Sequence, residues 1–207
     1  MAKSKIFLDD SLEFDGINVY KKDKLFYTPL INDERIKFSL LILYARNFDI
    51  DRFAHVLRVF SLDCIYEKVA ILSKEDFKKY HLRLAEFDMK VATCPDPEDV
   101  LYASLKAGLR AISARTDFII LHFGNLSDVS RETLNRICNF TEASKSEIVI
   151  PTFDEAKGHP IVFNKNLLPQ LMSLRKEKGL PYLLKKFSDE ISTISVSDMN
   201  ILRKNTR

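Results

Sequence analysis

Glycine is the scarce residue of this 207-residue chain: five occur, against a usual share of ~7%. Gly16, Gly108, Gly124, Gly158 and Gly179 are too dispersed to write either G-x-G-x-x-G or a Walker A loop. Standard Rossmann cofactor binding and P-loop phosphate chemistry are thereby excluded. Cys64, Cys94 and Cys138 are odd in number and far apart, so neither a disulfide framework nor a Cys-x-x-Cys metal site is suggested. His55, His81, His122 and His159 never fall three or four apart, which removes the helix-borne zinc motifs. Long apolar runs are missing too. The best candidate, residues 38–45, is interrupted by Ser39 and stops at Arg46, well short of the ~18 residues of a membrane span. Residues 1–10 lack the apolar core of a signal peptide, and a reducing cytoplasm is the expected compartment.

Charge of one sign is also lacking. Lys plus Arg number 32 against 29 Asp plus Glu, and the resulting +3 is too mild to imply nucleic acid. The basic tail Arg203-Lys204-Asn205-Thr206-Arg207 and the Lys21 to Lys24 run come without an aromatic single-strand platform, so nucleic-acid binding is disfavoured. A composition of 46% hydrophobic and 29% charged residues is that of a globular protein. No linker, repeat or low-complexity tract divides the chain, and a single domain over residues 1–207 is expected.

Strand-like and helix-like runs alternate from end to end. Extended runs are read at 6–8, 68–72, 88–93, 117–123, 147–150, 160–163 and 191–196, and helices at 99–114, 167–174 and 180–187. Residues 35–47 are apolar nearly all round and read as a buried helix. Three further helices have visible starts: Asp49 can cap one running to Phe60, Ser73-Lys74-Glu75-Asp76 has the S-x-x-D form, and Ser130 can cap one to Ala143. The run at 117–123 has the apolar continuity of a central strand buried on both faces. Such alternation predicts an α/β fold, a mostly parallel sheet with helices on both faces. Ligands of such sheets bind beyond the carboxyl ends of the strands, which directs attention to Gly124 and to Gly158.

Four segments, in order, resemble the MobA-like nucleotidyltransferases, the molybdenum cofactor cytidylyl- and guanylyltransferases. Leu101-Tyr102-Ala103-Ser104-Leu105-Lys106-Ala107-Gly108-Leu109 is similar to the family's S-S-S-L-R-A-G-L. Phe123-Gly124-Asn125-Leu126-Ser127-Asp128-Val129-Ser130 is similar to L-G-D-Q-P-L-V-S. Lys157-Gly158-His159-Pro160-Ile161-Val162-Phe163 resembles R-G-H-P-V-L-F, and Lys178-Gly179-Leu180-Pro181-Tyr182-Leu183-Leu184 resembles D-K-G-A-R-A-L-L. The resemblance implies a three-layer α/β/α Rossmann-like domain and transfer of a nucleotide from CTP or GTP to a phosphorylated acceptor such as a pterin. It points to Ser11, Lys24, Ser104 and Gly108 for the nucleotide and to Gly158, His159 and Pro160 for the acceptor.

Nucleotidyl transfer needs N–H groups and cations around the triphosphate and a divalent metal at the α-phosphate. In the family, the aspartate of the G-D pair and one in a late D-I-D-T segment hold Mg²⁺. By the resemblance these positions are Asn125 and Asn205 here, both amides. The first loop departs as well: Ser11 stands for the first glycine, and Asp9, Asp10, Glu13 and Asp15 crowd the place where phosphate would approach. The expectation is a scaffold with weakened or lost metal-dependent catalysis; the alternative is a non-catalytic binder of a nucleotide, a pterin or a protein partner. Plainer readings stay open beside these: Ser104 as a capping or solvated hydroxyl, Asn125 as a turn residue, and the lysine run as a solvated face.

Overall fold

A computed structural model describes residues 12–14, 19–21, 24–27, 35–43, 48–94, 100–124 and 129–202. Contacts divide the chain into two compact units, Met1–Arg35 and Ile36–Arg207. The first contains an antiparallel three-stranded sheet: β1 (Leu12–Phe14), β2 (Val19–Lys21) and β3 (Lys24–Tyr27), paired in that order. The strand expected at 6–8 lies outside the described residues.

The second unit holds an eight-stranded sheet. Its strands are β4 (Phe38–Leu43), β5 (Ile65–Leu72), β6 (Lys90–Thr93), β7 (Phe118–Phe123), β8 (Ile148–Phe153), β9 (Ala156–Lys157), β10 (Ile161–Asn164) and β11 (Ile191–Ser195). They run in the order β11-β8-β10-β7-β4-β5-β6, with β9 attached to β8. The pairs β6–β5, β5–β4, β4–β7 and β8–β11 are parallel, while β10 lies antiparallel between β7 and β8.

Helices cover both faces. On one, α1 (Ile50–Val59), α2 (Lys74–Leu84) and α4 (Arg131–Ser144) contribute Phe53, Leu57, Leu84, Leu134 and Ile137 to a core with Phe38, Leu40 and Ile42 of β4. On the other, α3 (Val100–Ala111), α5 (Leu168–Met172) and α6 (Leu180–Lys186) bring Leu105, Leu109, Leu171 and Leu183 against Leu41 and Leu43. The expected three-layer α/β/α sandwich on a mostly parallel sheet is therefore what the chain forms. Among the described residues, no helix is long and apolar enough to cross a membrane.

The expected helix starts are found. Asp49 accepts from the N–H groups of Asp51 and Arg52, each at 2.9 Å. The Ser73 hydroxyl accepts from the Asp76 N–H at 3.0 Å while donating to its carboxylate at 2.7 Å, and Ser130 accepts from the Thr133 N–H at 3.1 Å.

One element is of a different kind from that expected. The run at 35–47 contains β4, a strand and not a helix. Every residue of β4 is buried, alternately on the two faces. A strand covered on both sides has no polar face, so its sequence lacks the two-residue alternation that would distinguish it from a buried helix.

At the amino edge of the sheet, Glu67 of β5 ties the elements together. One carboxylate oxygen accepts from the Ser39 hydroxyl at 2.6 Å, the Ser113 N–H at 2.6 Å and the Thr116 hydroxyl at 3.2 Å. The other meets the Lys90 ammonium at 2.7 Å, and that ammonium also donates to the Ala111 carbonyl at 3.1 Å. Burial alone would raise the Glu67 carboxyl, but Lys90, Ser39 and the Ser113 N–H outweigh it and hold it below its ordinary value. A carboxyl depressed by folding stabilises fully above its unfolded value of roughly 4.3 and loses that contribution as pH falls through the folded value. Glu67→Gln is expected to lower stability near neutral pH by about 1–3 kcal/mol. In urea titrations across pH, the gap between the two proteins should narrow below about pH 4.

Candidate functional site

The carboxyl ends of β4, β7, β8 and β11 lie along one edge of the main sheet, and β10 begins there. Gly124 follows β7 directly, is buried, and its N–H donates to the Leu43 carbonyl at the end of β4 at 2.9 Å. This brings the start of the second motif segment, Phe123 and Gly124, to the edge; Asn125 lies outside the described residues.

The third segment is built tightly. A turn with Asp154 and Glu155 at positive φ leads from β8 through β9 to Gly158. The Gly158 N–H donates to the Pro151 carbonyl and the His159 N–H to the Ile201 carbonyl, both at 2.8 Å. The His159–Pro160 bond is cis, and the His159 ring meets Phe123 edge-on at 5.1 Å between centroids. A Cβ on Gly158 would stand 2.7 Å from the Ile201 carbonyl oxygen and equally close to its side chain. Glycine is required here because the 3₁₀ turn Met199–Ile201, which follows β11, lies directly on it. The chain beyond β11 therefore does return to the edge, at Ile201. Asn205, expected at the late metal position, lies outside the described residues.

Ser104 and Gly108 sit one turn apart on the sheet-facing side of α3. A side chain at Gly108 would run into Leu41 and Ile71, so this glycine lets the helix approach β4 and β5. Its place is a packing one. Ser104 is nearer the carboxyl edge; its hydroxyl is buried and has no hydrogen-bond partner among the described residues. The first and fourth segments meet: Gly179 caps α6, and the Tyr102 hydroxyl stands against it where any side chain would collide.

Ser11 lies outside the described residues, and Lys24 opens β3 in the separate three-stranded sheet. Among the described residues, the first strand of the main sheet in chain order is β4, and residues 44–47, which follow it, lie outside those described.

Sequence reasoning also passed over two residues. His122 of β7 is buried against the Phe60 ring, 5.0 Å between centroids, and its Nδ1 has no hydrogen-bond partner among the described residues. Burial first, and then the charges of His159 and Arg52, push it down to about 3, so it is a neutral imidazole near neutral pH. Its signal was a lone polar residue at the carboxyl end of an apolar strand. Asp198, between β11 and the 3₁₀ turn, accepts from the Ser130 N–H at 2.8 Å and the Thr133 hydroxyl at 3.1 Å with one oxygen, and from the Asn200 N–H at 3.0 Å with the other. Burial would raise its carboxyl, but these donors together hold it below its ordinary value. Among the described residues, no three His, Cys, Asp or Glu side chains converge as a metal site.

A mostly parallel, helix-flanked sheet with glycine-led turns at its carboxyl edge is the Rossmann-like architecture of nucleotidyltransferases. The sequence model of the MobA-like NTP transferase domain matches residues 51–191, from the first turn of α1 to the start of β11. The chain belongs to the MobA-like NTP transferase family, whose members bind nucleoside triphosphates. Among solved structures it is similar to Rv0371c from Mycobacterium tuberculosis H37Rv, with 20% identity and a TM-score of 0.65 over 78% of this chain and 88% of that one. The manganese complex of Rv0371c aligns at 20% identity and a TM-score of 0.63, over 77% and 88%. 4-Diphosphocytidyl-2C-methyl-D-erythritol synthase from Anaerococcus prevotii DSM 20548 aligns at 17% identity and a TM-score of 0.63, over 83% and 92%. At these identities the likeness is one of fold. No curated protein matches the chain.

Replacing Gly158 by valine is expected to push the 3₁₀ turn off the edge, because the colliding atom is a backbone carbonyl. The cost should be about 1–3 kcal/mol, read as a lowered urea midpoint.

Proposed function

We propose that this protein binds a nucleoside triphosphate, CTP or GTP, at the carboxyl edge of its main sheet, and that its metal-assisted nucleotidyl transfer is weak or lost. The observation that carries the binding half is the Ser104 hydroxyl. It lies in the segment resembling the family's S-S-S-L-R-A-G-L, buried and without a partner among the described residues. Leaving such a group unsatisfied costs about 1–3 kcal/mol, which a polar ligand atom at the edge would recover. The residues between β4 and α1, which include Arg46 in sequence, meet the phosphates in this reading. In this reading Gly158, His159 and Pro160 shape the acceptor side, for a phosphorylated small molecule such as a pterin.

The catalytic half rests on charge. At about 4 Å and an effective dielectric near 20, a unit pair is worth roughly 4 kcal/mol, so each missing carboxylate removes about 8 kcal/mol of gross attraction to a divalent ion. Asn125 and Asn205 supply none. Asp49 and Asp198, which flank the same edge in sequence, already accept from backbone N–H groups at two helix starts. These residues do not fit the carboxylate pair that Mg²⁺ favours.

Calorimetry with CTP and GTP, each with and without Mn²⁺ or Mg²⁺, tests the reading. Binding of one nucleotide is expected, with an affinity changed less than about threefold by the metal, and no pyrophosphate release with a pterin phosphate. Asn125→Asp should then raise Mn²⁺ affinity by about tenfold or more. Pyrophosphate release by the unmodified protein, or no binding of either nucleotide, would overturn the proposal.

A further inference from the structure

β5 starts earlier than the strand beside it. Its pairing with β6 begins only at Val69, opposite Lys90, so Ile65, Tyr66, Glu67 and Lys68 have no β6 residue alongside. A cleft of about 230 Å³ occupies this gap, with those four residues on one wall and Asp88, Met89 and Lys90 on the other. It lies at the amino edge of the sheet, the end away from Gly124 and Gly158.

The lining has an apolar part, a neutralised part and two charges left over. Ile65 and Met89 are half-buried and pack against the core, and Tyr66, 42% exposed, adds an aromatic ring. Glu67 and Lys90 pair at 2.7 Å, and their remaining bonds go to Ser39, Ser113, Thr116 and the Ala111 carbonyl. Lys68 stands on the β5 wall and Asp88 on the other. Among the described residues, neither has a hydrogen bond or an ion pair.

These features narrow the ligand. A simple anion would be drawn to Lys68 and repelled by Asp88, and a simple cation the reverse. A molecule carrying both charges answers the two walls at once. The surface of Ile65, Met89 and Tyr66 calls for a hydrocarbon group on the same molecule. The volume is below the ~300 Å³ at which sites for drug-sized ligands begin, which suits a compound smaller than a nucleotide.

We propose that this cleft binds a free α-amino acid with an apolar side chain, its carboxylate taken by Lys68 and its ammonium by Asp88. The site is separate from the carboxyl edge and does not rest on the nucleotide reading.

The test is titration of the full-length chain with L-leucine, followed by ligand-observed NMR. Binding with a dissociation constant below about 10 mM is expected. Isocaproate, which lacks the ammonium, and isoamylamine, which lacks the carboxylate, should each bind about fivefold or more weakly. Lys68→Met should bring leucine down to the affinity of isoamylamine, and Asp88→Asn should bring it down to that of isocaproate. Neither side chain is buried in the core, and both variants leave the Glu67 network in place. The proposal is overturned if leucine does not bind in that range, if the three compounds bind equally, or if either substitution leaves leucine binding unchanged.

Discussion

The architecture depends on β4 being covered on both sides, with Ser39, its one polar side chain, bonded to Glu67. Its six residues are all buried, and hydrogen bonding along it is met by β5 on one edge and β7 on the other. A strand of this kind is stable only between two helical layers, since each face would otherwise put apolar surface in water. α1 and α4 close one side. α3 closes the other at a distance that Gly108 alone permits, because any side chain there would displace Leu41 or Ile71.

That central strand also separates two kinds of chemistry. Its amino edge carries Glu67, whose bonds to Ser39, Ser113, Thr116 and Lys90 join β4, β5, β6 and the end of α3 in one network. Its carboxyl edge carries Gly124, Gly158, His159 and the neutral His122, with helix starts at Asp49 and Ser130. Polar groups that hold the layers together and polar groups that could meet a nucleotide are thus kept at opposite ends of the strands. Substitution at the carboxyl edge can alter the chemistry there without touching the network that binds the layers.

Most of the second unit could be read from its residues, and the reasons are local. Asp49, Ser73 and Ser130 announce their helices because a side-chain oxygen at the first turn is the cheapest partner for unpaired N–H groups. β7 announced itself by apolar continuity. β4 has the same continuity but longer apolar flanks, and without alternation its period could be assigned either way. The three short strands of the first unit escaped because three or four residues give no period to read. Asp198 could not be singled out, because its partners are distant in sequence and only the folded chain brings them to it. Family membership, by contrast, is legible in four short segments, three of which carry a glycine that the packing requires. Gly108, Gly158 and Gly179 each sit where another backbone or side chain leaves no room for a Cβ.

The reach of Asp198 has a consequence for the order in which the chain is completed. α4 begins at Arg131, yet the carboxylate that takes up the Ser130 N–H belongs to a residue translated 68 positions later. On a ribosome, the start of this helix therefore rests on the Ser130 hydroxyl until Asp198 has emerged. Its final anchoring thus comes well after the helix itself has been made, from a stretch of chain synthesised four strands later.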